Sequence, residues 1–272
     1  MKIIVLYGYG LNCEKETAFA FIECSKKMNM RNIQVKIIHI NDVIDNPHEL
    51  MSSHILAIPG GFSYGDHTGA GNALALHMQH NIYNELQEFI AQDKLIIGIC
   101  NGCQVLIKLI EEFSHLALIP NDIGNYQCRW IKLKANLHSN SIWLRNINEL
   151  YLPIAHGEGQ FFMTQNSLEQ LVHKRYDALR YVDDLGQYAN MKFPDNPNGS
   201  IHDIAAISDK SGRILALMPH PERGIFFTQQ DNWSVQYERN KRLGIIIPKY
   251  GDGMAIFENG IKYFMTRNLS SH

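Results

Sequence analysis

Cys100 is the residue in this sequence whose surroundings are best suited to covalent chemistry. It follows the apolar run Leu95–Ile99, and Gly98 and Gly102 stand two residues before and two residues after it. This G-x-C-x-G spacing is typical of a nucleophile elbow, a tight turn from a strand into a helix that leaves no room for side chains at those two positions. The turn aims backbone N–H groups of the helix at the sulfur, which favours the reactive thiolate. The pattern therefore predicts an acyl-transfer nucleophile at Cys100.

The same cysteine begins a C-x-x-C pair with Cys103, which is typical of thiol redox proteins. A dithiol centre has no need of Gly98, and a structural zinc site would require a second ligand pair that the other cysteines do not supply at that spacing. We expect Cys103 to face the sheet from the helix, and we expect no bound metal. Redox chemistry at this pair is the main alternative from another reaction class.

A histidine and a glutamate near the carboxyl end of the chain could serve as the base and its orienting group. His220 and Glu222 follow the apolar run Ile214–Met218 as an H-x-E pair flanked by prolines. Residues two apart after a strand can point to the same side, and the prolines stiffen the turn. We expect Glu222 to orient the imidazole while His220 takes and returns a proton, which would complete a triad with Cys100.

An oxyanion hole would be the remaining part of such a site, and a double glycine offers one. Gly60 and Gly61 follow the apolar run His54–Ile58, where backbone N–H groups without a side chain can approach a substrate. The amide of Asn101, directly after the nucleophile, is the expected second donor. The glycines of Gly60–Gly71 lack the G-K-[ST] sequence that follows a phosphate-binding loop.

The glycines after the first apolar run suggest a different class of enzyme. Gly8 and Gly10 begin a G-x-G dinucleotide fingerprint, but Cys13 occupies the third glycine position. The acidic residue after the second predicted strand, Asp42, lies somewhat far along the chain. Nicotinamide or flavin binding is therefore the weaker interpretation of this loop.

Short β-branched runs alternate with stretches of helical periodicity in the first half of the chain. We predict strands at Ile3–Tyr7, Ile33–Ile40, His54–Ile58 and Leu95–Cys100, and helices between them, as at Phe19–Met28 and Ile82–Ile90. Apolar strands separated by helices indicate a doubly wound α/β domain, with a flavodoxin-like, mostly parallel sheet and helices on both faces. Ligand sites in such folds lie at the carboxyl ends of the strands, where the candidate residues stand.

From about Leu116 the pattern changes to strands and turns. Strands are predicted at Gln127–Leu133, Leu179–Val182, Ile204–Ile207 and Ile214–Met218, and Met254–Phe264 is expected to be a closing helix. No linker-like stretch divides the chain, so residues 1–272 are expected to form one domain with a strand-rich elaboration. The pattern of Thr228–Pro248 indicates no role.

The composition excludes several classes of function. Of the 272 residues, 45% are hydrophobic and 19% charged, and 25 basic against 27 acidic side chains leave a net charge of −2. This is typical of a packed soluble protein without a field that recruits nucleic acid or an anionic membrane. No apolar run approaches the roughly 18 residues of a membrane span. Five cysteines without framework spacing indicate a reducing compartment, so we expect a cytoplasmic location.

The motifs taken together resemble a known family. The strings around Cys100 and Gly60, with His220-x-Glu222, resemble those of class I (triad) glutamine amidotransferases. Longer strings are similar to the glutaminase components of phosphoribosylformylglycinamidine synthases, in the same order along nearly the whole chain. These strings are Pro59–Asp66, Gly98–Gln104, Pro153–Gly159, Asn196–Ser200 and Met218–Arg223.

The resemblance implies an activity and a partner. Cys100 would attack the side-chain amide of L-glutamine, ammonia would leave, and water would hydrolyse the glutamyl thioester. The ammonia would pass to a larger synthetase subunit that uses ATP and magnesium to convert formylglycinamide ribonucleotide to its amidine, so this chain would need no cofactor. The residues implied in the glutamine pocket or the subunit contact are Gly98, Gln104, His156, Gly157 and Glu158.

Some features depart from the stand-alone subunits of that family. His67–Gly71 follow Asp66 where those subunits carry an arginine and a leucine, and Cys103 replaces a common phenylalanine. With Leu179–Asp183, these features resemble the amidotransferase domain of the large fused synthases. The partner architecture therefore stays open, including the presence of a small third subunit. A glutaminase that serves another synthase, or a catalytically silent regulatory subunit, are the alternative functions.

Overall fold

A computed structural model describes the backbone of residues 1–268 and the side chains of residues 1–265. The strands are β1 (Lys2–Tyr7), β2 (Gln34–His39), β3 (Ile55–Ile58), β4 (Leu95–Ile99), β5 (Ala117–Pro120), β6 (Gln127–Ala135), β7 (Glu149–His156), β8 (Glu158–Phe162), β9 (Asp177–Val182), β10 (Ile204–Ser208) and β11 (Ile214–Leu217). Nine of them form one sheet in the order β2-β1-β3-β4-β11-β10-β9-β6-β7, and β5 pairs with β8.

The first half of the sheet is parallel. β2, β1, β3, β4 and β11 run side by side in one direction, and every side chain of β3, β4 and β11 is buried. Because successive side chains of a strand point to opposite faces, complete burial shows that both faces are covered. The order β2-β1-β3-β4-β11 is that of the flavodoxin-like fold, which confirms the predicted fold class.

The strand-rich half continues the same sheet with antiparallel strands. β10 pairs with β11, and β9, β6 and β7 follow, each antiparallel to its neighbour. The sequence pattern does not indicate β5, β7 or β8. In β7 the partly exposed positions include Tyr151, Pro153 and Ala155, so the strand lacks a polar face. A proline is tolerated there because β7 is an edge strand.

The helices cover the sheet. They are α1 (Glu14–Lys27), α2 (Ile40–Asp45), α3 (His48–Met51), α4 (Asn72–Ala91), α5 (Asn101–Leu109), α6 (Gln165–His173), α7 (Trp233–Arg242) and α8 (Gly253–Asn268). α1 packs against α8 through Phe21 and Phe257, whose ring centroids are 4.9 Å apart. The sequence periodicity predicts α1 but not its buried face, since Phe19 is 46% exposed and Ala20, Phe21 and Cys24 are buried.

α7 lies within the Thr228–Pro248 segment and has no buried residue. Within residues 1–268, none of the helices combines the length and the apolar character that a membrane crossing requires.

Four loops meet at one edge of the parallel half, because the carboxyl ends of parallel strands lie at the same edge. β1 leads into Gly8–Cys13, β3 into Pro59–Asp66, β4 into the Cys100 turn, and β11 into Met218–Arg223. The motifs that the sequence separates by more than a hundred residues are therefore brought together here.

Candidate active site

Cys100 stands at the turn between β4 and α5 with φ 51° and ψ −103°, a conformation that side chains rarely adopt. The two flanking glycines have no room for a side chain. A Cβ on Gly98 would lie 2.5 Å from the Gly102 carbonyl oxygen, and a Cβ on Gly102 would overlap the carbonyl of Ile58. These contacts with the strand and the helix are the packing that the elbow pattern predicts.

His220 and Glu222 form a buried hydrogen-bonded pair. The His220 Nδ1–H donates to Glu222 Oε1 at 2.6 Å, and both side chains are about 2% exposed or less. Burial disfavours the imidazolium, but the Glu222 carboxylate and the nearby Cys100 outweigh it and raise the pKa of His220 well above its usual range. The other ring nitrogen, Nε2, is buried and has no hydrogen-bond partner among the described residues. It is therefore free to exchange a proton with a reacting group.

Gly60 lies between the nucleophile and the base. A Cβ placed on it would lie 2.8 Å from His220 Cε1 and 3.5 Å from Cys100 Cβ, so the two side chains border the same small volume. The thiol of Cys100 points towards the Ala155 carbonyl oxygen, 3.6 Å away. The structure thus brings together the three residues of the predicted triad; their catalytic roles stay predictions.

The predicted oxyanion donors flank this volume. The amides of Gly61 and Asn101 have no acceptor among the described residues, so both are available to a substrate. The loop before α1 supports the double glycine: Phe62 N–H donates to the Gly10 carbonyl at 2.9 Å, and Cys13 N–H donates to the Gly60 carbonyl at 3.2 Å. A Cβ on Gly10 would collide with the Phe62 carbonyl. Gly10 of the G-x-G pattern therefore packs against the backbone of the double-glycine loop.

A cavity of about 210 Å³ opens beside the sulfur. Six site residues predicted from the sequence line it, together with five others; the full lining is Gly61, Phe62, Asp66, Ala70, Cys100, Gln104, Tyr126, Ala155, His156, Gly157 and Glu158. Gly98 is not among them, because it lies within β4 under α5, and its placement favours a packing role rather than contact with a ligand. Gly60 and the Asn101 side chain lie behind the lining.

Side-chain hydrogen bonds connect the elbow to the cavity wall. The Asn101 Nδ2 donates to Gln104 Oε1 at 2.8 Å and to Asp66 Oδ1 at 3.1 Å. Gln104 Nε2 donates to the Glu158 carbonyl oxygen at 2.6 Å, and Glu158 Oε2 accepts from the Ala70 amide at 3.1 Å. The first residue of α5 and the first residue of β8 are thereby held in one network.

Asp66 is a cavity residue that was not singled out from the sequence, although it ends the F-S-Y-G-D string. Burial raises the pKa of its carboxyl, and hydrogen bonds from Gly71 and Asn101 partly offset that effect. Phe62 and Tyr126 stand at the cavity mouth, 48% and 50% exposed. No spacing pattern in the sequence identifies these two aromatic residues as part of a site.

His156 is held neutral beneath the cavity. Burial, with a smaller effect of His220, lowers its pKa to about 3. Its Nδ1–H donates to Asn121 Oδ1 at 3.1 Å, and Asn121 Nδ2 donates back to the His156 carbonyl at 2.8 Å. An uncharged, anchored ring suits a wall residue rather than a second base.

Cys103 lies on α5 and is fully buried. Burial raises the pKa of its thiol well above the usual range, which disfavours the thiolate that redox exchange requires. The position therefore fits the expected core residue better than the alternative of a redox pair.

Comparisons with known proteins agree with this site. Residues 1–264 match the family model of CobB/CobQ-like glutamine amidotransferase domains. The chain is 40% identical to the phosphoribosylformylglycinamidine synthase subunit PurQ of Methanococcus maripaludis and 35% identical to that of Dehalococcoides mccartyi; each alignment covers 97% of both chains. A solved structure described as PurLQS from Thermotoga maritima aligns with a TM-score of 0.66 at 25% identity, over 97% of this chain and 98% of that chain.

The long synthase of Drosophila melanogaster is 33% identical over 82% of this chain, a match that spans 17% of the fly protein. The departures at His67–Gly71 and Cys103 therefore do not separate this chain from the stand-alone subunits, since such a subunit is more similar over the full length. This chain belongs to the CobB/CobQ-like glutamine amidotransferase family, in its branch of phosphoribosylformylglycinamidine synthase PurQ subunits.

Proposed function

We propose that this chain is the glutaminase subunit of phosphoribosylformylglycinamidine synthase, which hydrolyses L-glutamine and delivers the ammonia to a larger synthetase subunit. The observation that carries the proposal is the buried His220–Glu222 hydrogen bond of 2.6 Å, which lies across Gly60 from Cys100, a residue of the cavity lining. The relatives named as subunits of this synthase support it.

The residues divide the chemistry as follows. The Cys100 thiolate attacks the side-chain carbonyl carbon of glutamine, and the Gly61 and Asn101 amides stabilise the negative oxygen that forms. The C–N bond breaks as the His220 imidazolium gives its proton to the leaving nitrogen, so ammonia departs and a thioester remains. His220 then takes a proton from water as that water attacks the thioester; the C–S bond breaks, and glutamate and the thiolate are released.

The cavity also indicates how the rest of glutamine binds. Asp66 and Glu158 both line it, and paired acidic residues suit an α-ammonium. Glu158 is further oriented by the Ala70 amide at 3.1 Å. We assign these two residues to the amino-acid end of the substrate, with the amide end at Cys100.

ATP, magnesium and the ammonia acceptor belong to the partner in this proposal. The chain itself is assigned no cofactor, and the partner is the large synthetase subunit, with a small third subunit as a further member of the complex. The Thermotoga maritima structure described as PurLQS supports this assembly. The proposed location is the cytoplasm, where the five free cysteines stay reduced.

The decisive experiment combines the full chain with the cognate synthetase. Amidine formation is measured with glutamine or with ammonium as nitrogen source, with the chain added and withheld. We expect Cys100→Ser to abolish glutamine-dependent formation and leave ammonium-dependent formation intact. We also expect glutamine hydrolysis by the chain alone to be slow, because an ungated glutaminase would waste ammonia.

Cys128→Ser is the matched control, since Cys128 is the exposed cysteine, and it should retain both activities. Glutamine hydrolysis that survives in Cys100→Ser would overturn the proposal. Failure of a glutamine-analogue electrophile to label Cys100 in the complete complex would favour a silent regulatory subunit instead.

A further inference from the structure

The Asn101 side chain is a buried part of the site to which the proposed reaction gives no role. The reaction uses only its backbone amide, although the whole residue is 0% exposed. Asn101 Nδ2 donates to Asp66 Oδ1 at 3.1 Å and to Gln104 Oε1 at 2.8 Å, and Asn101 Oδ1 accepts from the Ser63 N–H at 3.2 Å. Both N–H groups and the oxygen of this carboxamide are therefore in use, which fixes its orientation.

These hydrogen bonds join the two sides of the predicted oxyanion hole. Ser63 lies two residues after Gly61, whose amide is one of the two predicted donors. The other donor is the backbone N–H of Asn101 itself. A carboxamide that changed its position would displace both donors from the oxygen that they must stabilise. The Asn101 carboxamide is thus placed to position the whole oxyanion hole.

Asp66 connects this carboxamide to the part of the cavity assigned to the α-ammonium of glutamine. Asp66 lines the cavity, and its Oδ1 accepts from the Gly71 N–H at 3.3 Å as well as from Asn101. Burial raises the pKa of its carboxyl group, so the carboxylate is poorly stabilised until a cation lies beside it. An α-ammonium supplies that cation, and the hydrogen bond from Asn101 to a carboxylate is stronger than one to a neutral carboxyl group.

We propose that the Asn101 carboxamide makes the oxyanion hole depend on the α-ammonium group at Asp66. An amide that binds without this group leaves the Asn101 hydrogen bonds weak and is hydrolysed slowly. The enzyme then selects its substrate in the chemical step as well as in binding. This inference rests on the proposed function, because it assigns a positioning residue within glutamine hydrolysis.

The test compares L-glutamine with glutaramate, which is glutamine without its α-amino group. The value of kcat is measured for both amides on the full chain in complex with its synthetase. Binding of glutaramate is measured separately, as competitive inhibition of glutamine hydrolysis. We expect kcat for glutaramate to be lower by about tenfold or more, since loss of a whole oxyanion donor costs about 10²–10³-fold in kcat. Weaker binding alone would leave kcat at saturation unchanged.

Asn101→Ala keeps the backbone donor and removes the carboxamide. We expect it to lower kcat for glutamine towards that for glutaramate, so that the ratio of the two values falls close to one, while Glu158 still favours glutamine in binding. Asn136→Ala is the matched control. Its carboxamide likewise donates to an aspartate, Asp177 Oδ1, at 3.0 Å and accepts from a backbone amide, His138 N–H, at 3.0 Å, but it does not line the cavity. This control should keep the full ratio.

Equal kcat values for the two amides in the unaltered complex, or an unchanged ratio in Asn101→Ala, would overturn the inference. Glutaramate that neither reacts nor competes would also overturn it, because selection would then lie in binding alone. If Asn101→Ala fails to fold or to turn over, Asp66→Asn decides, since it keeps an acceptor for Asn101 and loses the charge; a full ratio there would refute the coupling. An unaltered complex that hydrolyses neither amide would contradict the proposed function, whereas hydrolysis of both at one kcat would contradict the coupling alone.

Discussion

The backbone of Cys100 is strained at φ 51°, because the chain turns sharply at this residue from β4 into α5. A non-glycine residue in such a conformation costs about 1–3 kcal/mol. Hydrogen bonds hold it on both sides: its N–H donates to the Leu217 carbonyl at 2.8 Å, and its carbonyl accepts from Gln104 N–H at 3.1 Å. These hydrogen bonds to the sheet and the helix hold Cys100 in the conformation that places it at the cavity.

The charge of Glu222 should set the pH range of the reaction. Glu222 raises the pKa of His220 against the effect of burial, so the imidazolium that protonates the leaving nitrogen persists at higher pH. Glu222→Gln should lower that pKa, and the alkaline limb of the kcat/KM profile for glutamine should move to lower pH. The loss of the oriented tautomer should reduce kcat by about 10³–10⁴-fold.

Glu169→Gln is a suitable control, because Glu169 is an exposed residue of α6. Its pH profile should match that of the unaltered chain. An alkaline limb that stays in place in Glu222→Gln would show that this carboxylate does not act through His220.

His156 should make stability dependent on pH. Its pKa is about 3 in the folded chain against an ordinary value of 6.5, so the unfolded chain binds a proton that the folded chain excludes. The free energy of unfolding is therefore unaffected by His156 above about pH 6.5 and decreases as the pH falls towards 3. The decrease between pH 7 and pH 5 is about 2 kcal/mol. The free energy of unfolding of His156→Gln, measured with denaturant, should lack that decrease.

The free energies of unfolding of the unaltered chain and of His156→Gln must be subtracted at each pH, because other groups titrate in both chains. Parallel curves for the unaltered chain and His156→Gln would contradict neutral burial of the ring.

At the scale of elements, the Asn196–Ser200 string holds β8 in place. The Asn198 side chain donates to the Gly159 carbonyl at 2.8 Å and to the Tyr181 hydroxyl at 3.1 Å. Phe161 N–H donates to Ser200 Oγ at 3.0 Å. The string thereby positions the strand that begins with Glu158, although none of its own residues lines the cavity.

Asn198→Ala should therefore act on substrate binding through β8. The Tyr181 hydroxyl and the Gly159 carbonyl each lose a donor, and the Ser200 amide loses an acceptor, at a cost of about 1–3 kcal/mol of stability. Because the chemistry at Cys100 is untouched, KM for glutamine should rise more than kcat falls. Asn81→Ala, at an exposed position of α4, is the control; a drop in kcat alone in Asn198→Ala would argue against this role.

At the scale of the molecule, a strand pair and a helix contact are among the interactions that join the early and late halves of the chain. β4 pairs with β11 in parallel register from Ile96 and Ile214 onwards. α8, which belongs to the late half, contacts α1 of the early half through Phe257 and Phe21. It is anchored to its own half where Asn259 Nδ2 donates to the Trp143 carbonyl at 3.0 Å. The catalytic geometry depends on this strand pairing, because the predicted nucleophile follows β4 and the predicted base follows β11.

We therefore expect the two halves to unfold together. In native-state hydrogen exchange, the slowest amides of β1 and β10 should share one opening free energy, because neither half keeps its core without the other. Amides of α7 should exchange much faster, since that helix has no buried residue. A lower opening free energy for one half would show two domains instead of the predicted one.

The elbow, the H-x-E pair and the first four strands could be predicted from the sequence by itself. Their signals are local: glycines two residues either side of Cys100, prolines around His220, and β-branched runs that alternate with helices. Local sterics and hydrophobic periodicity act over a few residues, so they are visible without the fold.

Only the tertiary structure decided which distant residues complete the site. Asp66 meets Asn101, and Cys13 meets Arg223, across 35 and 210 residues of sequence, and these contacts depend on the order of strands in the sheet. β7 lacks the usual alternation of apolar and polar residue types, although its burial alternates, because an edge strand can carry Pro153 and apolar outward residues. Nonlocal packing sets such pairings, and residue types in a linear sequence do not encode it at short range.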